Sequence, residues 1–442
     1  MEAALGHRLE AIRVSGLHRQ LRELDSPQAT HIRFGGRDFI NFSSNDYLGL
    51  ADHPALKEAS IKAVEEFGAG AGASRLICGS LKPFHELEEA LAEFKRAEAA
   101  LSFSSGYAAA MGTITSLLGR DDVVIIDKLV HASIVDAARH SGATLRVFKH
   151  NDLDDLERIL RWANDPTRST KPENRNVLII TESVFSMDGN QAPLREIVEL
   201  KERFGAWLMV DEAHATGLFG GRRSGLIEQL GLSGRVEIQM GTLGKAVGAA
   251  GGFICGSRTL IDFLINSARS FIFSTAPVPA SAAAALAGLL LIQAEEGAQR
   301  CARLWERTRQ SRTGILPVTE RTSSVVQQER RGAISRTEPK TSAADSSPSS
   351  SQPTEVDVRA PSNDRQVAFP TSPILPIIIG DESHAVAAAE ALRGRGFFIP
   401  AIRYPTVARG RARLRMTLSA DHTEADVEQF TQALALVLNP KS

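Results

Sequence analysis

Cysteine is scarce in this 442-residue chain. Only Cys78, Cys255 and Cys301 occur, far apart and without a C-x-x-C pair. That spacing argues against a disulfide framework and a cysteine-built metal site, and it fits a reducing, cytoplasmic setting. Neither sign of charge is in surplus. The 51 Lys and Arg against 52 Asp and Glu leave a formal net charge of -1, so no general field draws nucleic acid or anionic lipid. A small molecule is the expected partner. Long apolar runs are nearly missing too. The one candidate, "APVPASAAAALAGLLLIQA" from Ala276 to Ala294, is dominated by alanine and opens with two prolines, which makes it a buried helix in preference to a membrane span. The opening "MEAALGHRLEAIRVSGLHRQLREL" mixes Glu and Arg at helical spacing and has no apolar h-region, arguing against a signal or transit peptide.

Aromatics are absent altogether from Glu306 to Ala368, where Ser, Thr, Pro, Gln and Arg dominate. Such a stretch buries too little apolar surface to offset its ordering entropy, so an inserted disordered loop is expected over 311–366. Around it the sequence divides into an N-terminal helix and arm (1–50), a large domain (51–290) and a small C-terminal domain (291–442).

What is present between about 99 and 256 is an alternation of short apolar runs with stretches of helical length. "AALSFSS", "DVVIID", "NVLIITES", "AWLMVDEA", "VEIQMGT" and "GGFICG" read as strands. The pattern predicts an α/β fold: a mostly parallel sheet flanked by helices, with a smaller α/β unit from "SPILPIIIGD" onward. Ligands of open α/β sheets gather beyond the carboxyl ends of the strands. Gly106, Tyr107, His131, Ser186, Asp211, His214, Thr242 and Lys245 all fall there.

"TLGKAVGAAGG" sets Lys245 among glycines and alanines. It is not a P-loop, because Gln239 replaces the first glycine and Ala246 the magnesium-binding hydroxyl. "GAGAGAS" at 68–74 is no dinucleotide turn, since it follows a helical stretch instead of a strand. A lone loop lysine is usually solvated. Small neighbours, however, leave room for a flat cofactor beside an amine made nucleophilic by desolvation. Asp211, ending an apolar strand, is either a cap or an anion set against a buried cation. Pyridoxal phosphate requires such a lysine and such an aspartate, the latter to keep its ring nitrogen protonated. One of His131 and His214 could stack on the ring and the other could bond its phenolic oxygen. Backbone N–H groups of Gly106 and Tyr107 at a helix start, with the Thr242 hydroxyl, suit a phosphate. Zinc is disfavoured, as no H-x-x-x-H or carboxylate cluster accompanies the histidines. Arg403 in "AIRYPTV" is either a surface arginine or a fork for a substrate carboxylate.

"NFSSNDYLGL", "ESVFSMDGNQAPL", "VDEAHATGLFG", "GTLGKAVGAAGGFICGS", "FIFSTAPVP" and "IRYPTVARGRARLRMTLSADHT" together resemble the α-oxoamine synthase family of fold-type I pyridoxal phosphate enzymes. The match spans nearly the whole chain outside 311–366. It implies a homodimer with interface active sites that joins an amino acid to an acyl-CoA or acyl-carrier-protein, losing carbon dioxide and free thiol. The first and last motifs imply L-alanine and a pimeloyl thioester; glycine with acetyl-CoA or succinyl-CoA belongs to other members. By motif, the resemblance makes Lys245 the Schiff-base lysine and Asp211 the partner of the ring nitrogen. It stacks His131 on the ring, sets His214 and Ser186 on the ring-oxygen side, and puts Thr242 at the phosphate. Arg403 would take the substrate carboxylate, with Thr406, Asn45 and Arg19 also on the substrate side. Ala110 departs from the family, which commonly has Asn at that point of "SGYAAA".

Overall fold

The computed structural model describes residues 1–165, 175–311, 313 and 371–438. Apart from Ser311 and Thr313, the insertion expected over 311–366 lies outside the described residues.

Two short strands of the arm, β1 (His31–Phe34) and β2 (Arg37–Asn41), precede the main sheet. That sheet consists of β3 (Ala99–Phe103), β4 (Val123–Asp127), β5 (Thr144–Phe148), β6 (Val177–Glu182), β7 (Trp207–Asp211), β8 (Ile238–Thr242) and β9 (Gly252–Gly256). Its order is β3-β9-β8-β7-β6-β4-β5, and only β9 runs against its neighbours. Strands covered on both faces are apolar at every position. In β4, Val123 and Ile125 join one buried cluster while Val124 and Ile126 join the other, because successive side chains point to opposite faces. All six strands read from the sequence are present. The edge strand β5, "TLRVF", escaped notice; it is only partly buried and lacks a continuous apolar run.

The loops leaving the strands place helix N-termini at the carboxyl edge. Ser105 caps the helix Gly106–Leu117, its Oγ accepting the Ala108 N–H at 3.1 Å. His131 caps Ala132–His140 through Nδ1 and the Ser133 N–H at 3.2 Å. The alanine-rich run forms the helix Pro279–Gln293, with Ala282, Ala285, Leu289 and Ile292 buried. Among the described residues no helix is long and apolar enough to cross a membrane. Gly288 on that helix is a close approach: a Cβ there would meet the Val247 carbonyl oxygen at 2.2 Å. The helix thus packs directly beneath the loop that carries Lys245.

The C-terminal part holds β10 (Ile374–Gly380), β11 (Phe397–Phe398), β12 (Ala401–Ile402) and β13 (Ala412–Thr417), with helices Glu382–Gly394 and Glu424–Leu438. β10, β13 and β12 form one antiparallel sheet, while β11 pairs in parallel with β2. The arm is therefore stitched to the C-terminal part. Phe42 donates its N–H to Phe398 O and accepts that of Thr417, both at 2.9 Å. The helix Glu2–Val14 buries none of its side chains.

Candidate active site

Glu182 and Asp211 are register partners at the carboxyl ends of the adjacent parallel strands β6 and β7. Both are buried. Asp211 Oδ1 accepts the Ala213 N–H at 2.8 Å, turning the chain so that His214 follows three residues on. His214 is buried with both ring nitrogens in contact: Nδ1 lies 2.5 Å from the Tyr47 hydroxyl and Nε2 2.8 Å from Lys245 Nζ. The Lys245 loop closes on itself through Gly248 N–H to Lys245 O at 2.9 Å and Ala249 N–H to Leu243 O at 2.8 Å. Gly248 takes φ +76°, and a Cβ there would fall 2.6 Å from Leu50. The small residues around Lys245 thus meet the backbone of the "NDYLGL" segment.

Burial sets the electrostatics. It lowers the Lys245 amine to about 8, against the opposing pull of Asp211 and Glu182, with Arg415 adding to the lowering. A lysine so shifted offers a usable neutral fraction near neutral pH. Burial, helped by the charges of Lys245 and Arg415, holds His214 well below the usual histidine range, so its ring is neutral between its two partners. Burial pushes the Tyr47 hydroxyl up to about 12. Desolvation also lowers His131, Asp211 opposing and Lys245 reinforcing; these charges bring His131 into the same electrostatic group, although part of the residue stays exposed.

Ser186 is buried beside this group, its N–H donating to Glu182 Oε2 at 3.2 Å. Gly106 and Thr242 are neighbours, a Cβ on Gly106 reaching Thr242 Cβ at 4.0 Å. Thr242 Oγ1 donates to Gly251 O at 3.0 Å and accepts the Gly244 N–H at 3.3 Å. The Tyr107 side chain is exposed and its hydroxyl donates to Asp136 at 3.1 Å, which leaves only its backbone for an anion. Asn45 joins through its Oδ1, 3.5 Å from the Tyr47 hydroxyl. Arg19, Arg403 and Thr406 line a separate cavity of 220 Å³ with Leu17, Ile402 and Tyr404. Arg403 is half-buried there and donates to the Gly16 carbonyl. Ala110 lies fully buried in the helix Gly106–Leu117.

Three members of this group were missed in the sequence. Glu182 sits inside a recognised strand, and a carboxylate ending the strand next to that of Asp211 was the available signal. Tyr47 stood within "NFSSNDYLGL" without a stated role. Arg415 is buried, donating from Nε to Ser186 O at 2.6 Å and from Nη1 to Thr417 Oγ1 at 2.8 Å. Its neighbour Arg413 bonds Asp188 at 2.6 Å. The alternation in "ARLRMT" put both arginines on the face opposite Leu414 and Met416, and that period of two was the signal.

The donor set fits pyridoxal phosphate. Glu182 Oε1 is buried without a hydrogen-bond partner, beside an amine of lowered basicity. Gly252 brings β9 within van der Waals distance of the helix start at Gly106, where a Cβ would fall 2.6 Å from backbone atoms. A mostly parallel sheet gathering lysine, aspartate and a helix N-terminus at one edge is that of a fold-type I pyridoxal phosphate transferase. The chain belongs to the class I and II aminotransferase family, which matches residues 37–329, and within it to the α-oxoamine synthases.

It is 42% identical over 434 residues to the 8-amino-7-oxononanoate synthase of Anaeromyxobacter dehalogenans, covering 98% of this chain and 95% of that one. The enzyme of the same name from Symbiobacterium thermophilum is 40% identical over 433 residues, with 97% and 96% covered. Among solved structures, serine palmitoyltransferase of Sphingomonas wittichii superposes with a TM-score of 0.79 at 27% identity, covering 98% and 96%. The 8-amino-7-oxononanoate synthase of Francisella tularensis gives 0.66 at 25% identity, covering 90% and 97%.

Proposed function

We propose that this chain condenses L-alanine with a pimeloyl thioester, releasing carbon dioxide and free thiol and giving 8-amino-7-oxononanoate for biotin synthesis, with pyridoxal phosphate as cofactor. The observation that carries the reading is the half-buried Lys245, its amine at 2.8 Å from a neutral imidazole, in a chain whose full-length relatives share that name. Bound pyridoxal phosphate supplies an electron sink for the charge left when the α-proton departs.

The residues do the rest. Lys245 would anchor the cofactor and, once freed from it, would take the α-proton at Nζ. Asp211 would face the ring nitrogen. His131 would cover the ring, and His214 and Ser186 would serve its oxygen side. Backbone amides of Gly106 and Tyr107, with Thr242, would hold the phosphate. Arg403, with Thr406 in the same cavity, would receive the alanine carboxylate as a two-toothed fork, Asn45 would stand near the reacting groups, and Arg19 would serve the acyl substrate. The working form is a cytoplasmic homodimer with its active sites at the interface. Large apolar side chains left exposed on one chain, Ile77 at 79% and Phe273 at 70%, support an unfilled contact surface.

Thiol release measured over a panel of amino acids and acyl thioesters tests the reading. L-alanine with pimeloyl-CoA or pimeloyl-carrier-protein is expected to lead. Faster release with glycine and succinyl-CoA would overturn the substrate assignment. Borohydride reduction of the loaded protein should fix the cofactor on Lys245, and a label on another lysine would overturn the site.

A further inference from the structure

Behind the reacting groups stands one buried acid that the reading above leaves without a task. Glu182 is 2% exposed and register-paired with Asp211. Its Oε2 accepts the Ser186 N–H at 3.2 Å. Ser186 follows β6, so the carboxyl holds the loop that leaves β6 on the oxygen side of the cofactor ring. Its other oxygen, Oε1, is buried without a hydrogen-bond partner.

A charged carboxylate with one bare oxygen in such surroundings is costly, since every buried charge needs its lone pairs met. The ionisable side chains that face it are Asp211, Lys245 and Tyr47. Of these Asp211 repels a second negative charge, and Tyr47 keeps its proton. Lys245 offers a cation only until it is bound to the cofactor or gives up its proton. A proton on Oε1 removes the bare charge and keeps Oε2 free to accept the Ser186 amide. We propose that Glu182 is a positioning residue, a neutral carboxyl with its proton on Oε1, which holds the Ser186 amide beside Asp211 and so sets one wall of the gap that receives the ring. The inference rests on the cofactor assignment made above. Burial, with Asp211 alongside, pushes this carboxyl up to about 8, in keeping with a proton held at neutral pH.

The test reads the proton and the clamp separately. Infrared difference spectra of the parent protein against Glu182→Gln should contain a carboxylic-acid C=O band at pH 7. That band should give way to a carboxylate band as the pH passes about 8. A carboxylate band at pH 7 would overturn the neutral form. Glu182→Gln keeps one acceptor oxygen and the same shape, so its pyridoxal phosphate dissociation constant should stay within about twofold of the parent. Glu182→Ala strands the Ser186 amide and should weaken binding by roughly tenfold or more. A glutamine variant as weak as the alanine variant would overturn the proposal. Should Glu182→Ala fail to fold, the infrared band and the glutamine variant still decide. A parent protein that binds no pyridoxal phosphate would sink the function assigned above, while the infrared result would stand or fall by itself.

Discussion

His214 bridges Tyr47 and Lys245, its Nδ1 at 2.5 Å from the tyrosine hydroxyl and its Nε2 at 2.8 Å from the lysine amine. Because the imidazole is held neutral by burial, one nitrogen donates and the other accepts. A protonated Lys245 donates to Nε2, and the ring proton then sits on Nδ1 facing Tyr47. A neutral Lys245 accepts from Nε2–H, and Tyr47 donates to Nδ1. A protonated lysine therefore fixes the tautomer of the histidine, and loss of that proton opens the other tautomer. Tyr47 can serve both states because Asn45 Oδ1, 3.5 Å away, takes its proton in the first.

Tyr47→Phe keeps the buried ring and removes only the hydroxyl, stranding Nδ1. The expected cost is about 1–3 kcal/mol in unfolding free energy, the penalty of an unsatisfied buried polar atom. Urea denaturation of the cofactor-free protein measures it. A variant as stable as the parent would mean that the hydroxyl is not the partner of His214.

Acid stability should depend on His422. Its Nδ1 accepts the Ser419 N–H at 2.9 Å, its Nε2 meets Asn41 O at 3.1 Å, and its ring stacks on Phe42 at 4.4 Å. Burial lowers it to about 4, with Asp426 opposing. An unfolded histidine protonates near 6.5, so between about 6.5 and 4 the unfolded chain holds more protons than the folded one. The stability this neutral histidine contributes is fully present above that window and is lost as the pH falls through it, by at most about 1.4 kcal/mol per pH unit. His422→Gln cannot titrate. Its unfolding free energy should fall less steeply over the same window, and an unchanged slope would assign the effect elsewhere.

Lys95 and Glu212 form a pair at 2.9 Å with both side chains 1% exposed. Lys95 also donates to Thr216 at 3.0 Å and to Ser224 O, and Glu212 accepts the Ile227 N–H at 2.9 Å. Lys95→Met leaves a buried carboxylate unpaired, at about 3–5 kcal/mol. The double variant Lys95→Met with Glu212→Gln should recover a large part of that, because the amide keeps the Ile227 bond without the charge. Additive losses in the double-mutant cycle would contradict this coupling.

Legibility followed how local the signal was. The strands of the main sheet announced themselves as apolar runs, since burial on both faces demands them, and the residues ending those strands were found by counting along the chain. Glu182 and Arg415 were not, because their importance lies in what they face: Glu182 matters through the register of β6 on β7, Arg415 through a carbonyl 229 positions away. The arm strands β1 and β2 escaped as well, although Gly35 and Gly36, both at positive φ, mark the hairpin turn between them. β2 is completed by two residues of β11, some 357 positions later (397 against 40), and no local pattern records such a pairing. Arg403 was legible as a cation but not as a neighbour of Arg19, since their shared cavity joins β12 to the segment after the first helix.

Glycine at 252 tests whether the helix start at Gly106 holds the phosphate. A Cβ on Gly252 would lie 2.6 Å from the Gly106 N and Cα and from the Ser105 carbonyl carbon. These are backbone atoms and cannot rotate away, so Gly252→Ala must push β9 and the helix N-terminus apart. Gly241 is the control, for a Cβ there would meet the Phe253 ring at 2.3 Å, away from the helix start. Both substitutions overpack the interior and should destabilise by about 1–3 kcal/mol. Only Gly252→Ala displaces the amides at residues 106 and 107, so only it should weaken pyridoxal phosphate binding, by roughly tenfold, or about 1.4 kcal/mol. Equilibrium titration of both variants with the cofactor separates the two effects. Equal affinities would place the phosphate somewhere other than this helix N-terminus.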